Sequence, residues 1–143
     1  MTKEIKQLQH IHSNNLTVDN ELSAKTGKFL DKVSSANGFF QTSDVRNKKN
    51  IENVSFTKAI DANTVPIKQF NYIDDANERL VYGIIAQEAE NYGLEEIVYT
   101  DEDGKKSVDY TSLIMLKLAY LENENKLLRN SILEINKKLD KLK

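Results

Sequence analysis

The sequence predicts an α+β chain in three parts: a β-stranded stalk end over residues 1–42, a small α+β domain over 43–110, and a C-terminal helix over 111–143 that enters a trimeric coiled coil. Three observations predict it. Short runs with an apolar residue at every second position recur between turn residues. An Asp-Gly pair, Asp103-Gly104, joins two such runs as a hairpin turn does. From Leu118 onward, Leu and Ile recur in steps of three and four.

Segment 1–42 opens with a short helical or extended stretch carrying Ile5, Leu8 and Ile11. Leu16 and Val18 then alternate with polar neighbours, the period of a half-buried strand. Lys25–Val33 and Asn37–Thr42 read as two further short strands. Between them lies Ser34-Ser-Ala-Asn-Gly, whose Asn37-Gly38 pair supplies the positive φ angles of a tight turn. Strands this short and polar bury little alone and suit a stalk whose core several chains share. His10 and His12 fall on one face of such a strand. Three copies would offer six ring nitrogens to a transition metal, against the plainer reading of two solvated side chains. We assign no metal and no cofactor.

In segment 43–110, Ile51 to Asn63 reads as a helix carrying Ile51, Val54, Ala59 and Ile60 and ended by Thr64-Val-Pro. Ile67–Ile73 alternates strictly and reads as a strand. Leu80–Ile85 is β-rich and runs into a short helix, Ala86–Tyr92, stopped at Gly93. Glu96–Thr100 and Lys105–Tyr110 form a hairpin about Asp101-Glu-Asp-Gly. That acidic turn lacks the ligand spacing of an EF-hand. Tyr72, Tyr82, Tyr99 and Tyr110 suit core or interface positions, with an apolar ring and a polar tip. Gln87, Glu88 and Glu90 make an acidic group with no second catalytic residue beside it, which favours a solvated or subunit-facing helix face.

Segment 111–143 carries the strongest period. Leu118, Leu121, Asn125, Leu128, Ile132, Ile135, Leu139 and Leu142 occupy alternating a and d positions of a heptad. Only Asn125 among them is polar. At about 1.5 Å rise per residue, Leu118 to Lys143 spans roughly 39 Å. Ile at consecutive a and d positions, Ile132 and Ile135, favours three or more strands over two. A helix folded back on its own domain is the simpler alternative, but the narrow stripe and very polar remainder favour a seam.

Composition narrows the function. The chain has 143 residues, 39% hydrophobic and 29% charged, with a net charge of -2. No apolar run reaches membrane-span length, and the start carries no apolar stretch of a signal peptide. Acidic and basic residues are mixed, so no basic face exists for nucleic acid. Without cysteine there is no disulfide, thiolate ligand or thiol nucleophile. Nucleophilic chemistry falls to Ser, Thr or Lys.

Three stretches carry a family resemblance: Thr42-Ser-Asp-Val-Arg-Asn-Lys-Lys-Asn-Ile-Glu, Tyr82-Gly-Ile-Ile-Ala-Gln-Glu-Ala-Glu, and Asp103-Gly-Lys-Lys-Ser-Val-Asp-Tyr-Thr-Ser-Leu-Ile. In that order before a coiled coil, residues 38–143 resemble the endosialidase-type intramolecular chaperone domain, found at the C-termini of phage tail spikes and fibres and in myelin regulatory factors. The resemblance implies a homotrimer that aligns the preceding stalk and then cuts itself free. It implies cleavage of the Thr42–Ser43 bond, with Ser43 as nucleophile, Lys48 as its partner, and Asp44 and Arg46 as further motif residues. Asn47 stands where the family often has an aliphatic residue. The implied setting is a virion, as tail fibre or spike, assembled in the host cytoplasm, with no membrane or nucleic-acid partner.

The chemistry fits the residue types. A serine hydroxyl attacks well only when a base takes its proton, and lysine is a base only when neutral. Arg46 and Lys49 flank Lys48 and would supply like-charge pressure. Spacing alone does not form the dyad: residues five apart face opposite ways on a strand and lie about 140° apart on a helix. A turn, or a pairing made on assembly, is required. Alternatively Ser43-Asp44 only caps the next helix, a task open also to Asn50 or Asn53. Two other function classes compete: a non-cleaving trimeric cap retained on the fibre or virion, and a dimeric coiled-coil adaptor.

Overall fold

The computed structural model describes Val18, Leu22, residues 33–36 and residues 38–142. The chain divides into two compact units, Met1–Asn47 and Lys48–Lys143. The strands expected before residue 33, together with His10, His12 and Asn37, lie outside the described residues.

In the first unit Gly38 takes φ +87°, which suits the turn expected at Ser34–Gly38, and Ser35 Oγ donates to the Gly38 carbonyl at 2.8 Å. Residues 38–42 form no strand within the chain, so the strand expected over Asn37–Thr42 is absent from its described part. A 3-10 turn, Val45–Asn47, closes the described part of this unit.

The second unit is a small α+β fold of two two-stranded antiparallel sheets and a long C-terminal helix. Its first helix, α1, spans Phe56–Thr64 and starts later than the apolar spacing predicts. Residues 51–55 are not helical, and Ser55 is still extended at φ -67°, ψ 143°, so the helix begins only at Phe56. The cap is Ser55, whose side chain accepts from Lys58 N–H, so neither Ser43 nor Asn50 nor Asn53 caps α1.

Strand β1 is Lys68–Phe70 and pairs with β2, Val81–Gly83, placing Lys68 opposite Gly83 and Phe70 opposite Val81. The run Ile67–Ile73 predicted a longer strand. It stops because Asn71 turns its amide to the Glu78 carbonyl, and Asp75 accepts from the Asn77 N–H and the Arg79 guanidinium, closing a tight loop.

Helix α2 is Ala86–Asn91. Gly93, at φ +74°, donates to the Glu90 carbonyl and Leu94 N–H to the Ala89 carbonyl, a Schellman termination that needs the glycine. The same motif folds Leu94 onto the core, where it is fully buried.

Strands β3, Val98–Thr100, and β4, Lys106–Val108, form the expected hairpin. Asp101 Oδ1 receives the N–H groups of Asp103 and Lys105, and Gly104 takes φ +77°. The last helix, α3, spans Tyr110–Asp140, 31 residues or about 46 Å. Asp109 caps it by accepting from Ser112 N–H and Oγ.

The core is small: Ala62, Val65, Ile84, Ala89, Leu94, Ile97 and Leu113, backed by Val98, Val108 and Leu116. Helix α1 packs along the first half of α3, with the Phe56 and Tyr120 rings stacked at 6.0 Å. Tyr72, Tyr82 and Tyr99 are exposed and are not core residues of the single chain.

Candidate functional site

Within the first unit, the Ser-Asp-Val-Arg stretch folds around Asp44. Its Oδ1 accepts the Arg46 N–H at 2.9 Å, and both oxygens grip the Arg46 guanidinium at 2.6–3.2 Å. The Asp44 carbonyl accepts from Asn47 N–H and completes the 3-10 turn. Arg46, first through its side chain and then through its N–H, holds the Asp44 carboxyl below the usual carboxylate range. So Asp44 and Arg46 are brought together as a clamped pair, and the charge of Arg46 is answered by Asp44. Thr42 and Ser43 lie exposed just before this turn. Lys48, also exposed, opens the second unit.

Helix α3 has two sides. Leu113 is buried in the core, and Leu116 and Tyr120 are half-buried on the same side. Lys117, beside them, donates from Nζ to the Val65 carbonyl at 3.0 Å and more distantly to Asn63, capping the end of α1; burial lowers its pKa. The seam side is bare. Leu118, Leu121, Leu128, Ile132, Ile135 and Leu139 stay 46–59% exposed, Leu142 is exposed past the helix end, and Asn125 only donates back to the Leu121 carbonyl. Ile114 and Met115, exposed at d and e, carry the stripe one heptad further upstream than the sequence reading placed it. Leu127 and Leu133, off this line, are exposed as well, so the far half of α3 is uncovered on every side in the single chain.

The acidic group on α2 is structural. Glu88 pairs with Lys68 of β1 and Glu90 with Lys106 of β4, while Gln87 is exposed. These pairs tie α2 to both sheets. Lys58 of α1 reaches the Gly93 carbonyl and Glu96 in the same manner. Among the described residues no cluster of three His, Cys, Asp or Glu could hold a metal, and no helix is long and apolar enough to cross a membrane.

Sequence reasoning missed two positioning contacts. Tyr110 Oη accepts the Ile84 N–H at 3.2 Å, and Lys117 caps α1. Both are long-range, and only the glycine at 83 hinted at the first.

Residues 43–99 match the family Peptidase_S74, chaperone of endosialidase. The match begins at Ser43 and runs through α1, both strands of the first sheet and α2 into β3, under half of the 143 residues. No curated protein matches the chain.

Proposed function

We propose, on the premise of this match to the endosialidase-type chaperone, that the chain is the intramolecular chaperone of a trimeric phage tail fibre or spike. Three copies join through α3, align the stalk that precedes residue 43, and then separate from it by serine autoproteolysis at Thr42–Ser43. The working place is a virion assembled in the host cytoplasm. The observation that supports this reading best is the bare stripe on α3, carried by a helix whose opposite side is built into the domain over Leu113–Tyr120. Trimerisation and domain folding then depend on one element.

In the cleavage step, Ser43 Oγ attacks the Thr42 carbonyl carbon while Lys48 takes the hydroxyl proton. An ester to Oγ forms as the Thr42–Ser43 amide breaks, and the proton passes to the released Ser43 amine. Water then hydrolyses the ester, leaving a Thr42 carboxylate and free Ser43. Lysine serves here only when neutral, which requires desolvation or neighbouring cations. Lys48 is exposed in the single chain. Assembly therefore supplies the change of surroundings, and cleavage follows correct folding.

A second reading, a non-cleaving trimeric cap retained on the fibre, draws on one observation. Asp44 takes up the charge of Arg46, one of the two cations that flank Lys48 in the sequence. Intact-mass spectrometry of the folded protein beside Ser43→Ala and Lys48→Ala decides between them. Loss of residues 1–42 in the parent alone supports autoproteolysis, and an uncut trimeric parent supports the cap.

A further inference from the structure

No described residue of the first unit is buried, so packing does not shape the chain around Thr42 and Ser43. Phe39 and Phe40, just upstream, are 71% and 91% exposed, and the Val45–Asn47 turn buries nothing. A lone 3-10 turn in water is marginal, because it fixes several dihedrals for one backbone hydrogen bond. Here that bond runs from Asn47 N–H to the Asp44 carbonyl at 3.1 Å. Two further supports come from the Asp44 side chain. Its Oδ1 accepts the Arg46 N–H at 2.9 Å, an Asx turn laid over the 3-10 turn. Its two oxygens also share the Arg46 guanidinium. The turn falls between Ser43 and Lys48 in the sequence, where a dyad of those two requires the chain to bend.

We infer that Asp44 is a positioning residue for the cleavage at Thr42–Ser43. By holding the turn that follows the nucleophile, it fixes the backbone from which Ser43 Oγ reaches the Thr42 carbonyl. This rests on the cleavage reading above and adds what presets its geometry. The essential contact is the Asx bond, which needs an acceptor oxygen on residue 44 and not a charge. The guanidinium grip matters less, since the Arg46 side chain is 85% exposed and an ion pair in water adds little. Asp44 itself takes no proton in the step.

The test follows cutting of the full chain over time by intact-mass spectrometry. Asp44→Ala removes the acceptor and slows cutting about tenfold, as loss of one charge-assisted hydrogen bond does. Asp44→Asn keeps an oxygen in the same place and stays within about threefold of the parent. Arg46→Ala keeps its N–H and stays within about the same range. Helix content by circular dichroism and oligomeric state are unchanged in all three, so a general loss of folding does not produce the difference. A second readout does not depend on cutting. In a Ser43→Ala chain, which stays whole, adding Asp44→Ala speeds amide exchange at Arg46 and Asn47, and adding Asp44→Asn does not. Parent-like cutting in Asp44→Ala, or unchanged exchange, would overturn the positioning role. Asp44→Asn as slow as Asp44→Ala would overturn it in favour of carboxylate chemistry, and Arg46→Ala as slow as Asp44→Ala in favour of the ion pair. A parent left uncut while the exchange pattern holds would instead overturn the cleavage reading, leaving Asp44 a former of the turn alone.

Discussion

Gly83 and Tyr110 occupy one space. A Cβ on Gly83 would lie 2.2 Å from Tyr110 Oη, the same oxygen that accepts the Ile84 N–H at 3.2 Å. The glycine of the Tyr-Gly-Ile-Ile stretch is thus the clearance through which the first residue of α3 locks onto β2. Gly83→Ala should cost about 1–3 kcal/mol by overpacking. Tyr110→Phe alone should cost about 1 kcal/mol for the lost partner of Ile84. Together they should cost less than their sum, and chemical denaturation of all four proteins measures that coupling.

The start of α1 is held by one hydroxyl. Ser55→Ala should lower stability by about 1 kcal/mol. Asn50→Ala and Asn53→Ala should show no comparable loss of a cap, because neither side chain serves α1. Thermal unfolding followed by circular dichroism separates them, with a shift of several degrees expected only for Ser55.

Acid should weaken the root of α3. Hydrogen bonds from Ser112, through its side chain and then its N–H, hold Asp109 below the ordinary carboxylate range. A carboxyl whose native pKa is depressed stabilises the fold fully above the ordinary aspartate value. That contribution is lost as pH falls through the native one. Asp109→Asn should therefore lower stability near neutrality and flatten the acid limb, the two proteins converging as pH falls through the native value.

Leu94 is the largest fully buried side chain, held there by the Gly93 turn. In a core this small, Leu94→Ala should cost about 2–5 kcal/mol and leave the isolated unit largely unfolded. Loss of amide-exchange protection in both β3 and α1 would register it.

A protein with a bare seam and a slight core should gain much of its stability from partners. The unfolding midpoint should rise by a few degrees for each roughly tenfold increase in concentration. A midpoint independent of concentration would argue against the assembly.

Local chemistry in this sequence was legible and distant contacts were not. The Asp101–Gly104 hairpin, the α2 stop at Gly93 and the α3 stripe all rest on residues close in sequence, so their geometry could be read directly. Helix α1 is shorter than expected because Ile51 and Val54 keep helical spacing with Ala59 and Ile60, while the extended cap residue Ser55 sets where the helix begins. Strand β1 fell short because a side chain, Asn71, spent its amide across a loop. In the candidate site, the grip of Asp44 on the N–H two residues on is a local Asx turn and had a sequence signal. Whether Lys48 works as a base is set by surroundings that no spacing encodes.

Helix α3 begins as a wall of the core at Leu113 and ends as an open edge at Leu139. Any assembly built on it samples the folding of every member. A copy whose domain has not closed loses the Asp109 cap and the α1 packing, and presents a frayed helix to its neighbours. The stiffness of one rod then reports on several folds at once, and a fibre joined through it would inherit that inspection without a separate sensor.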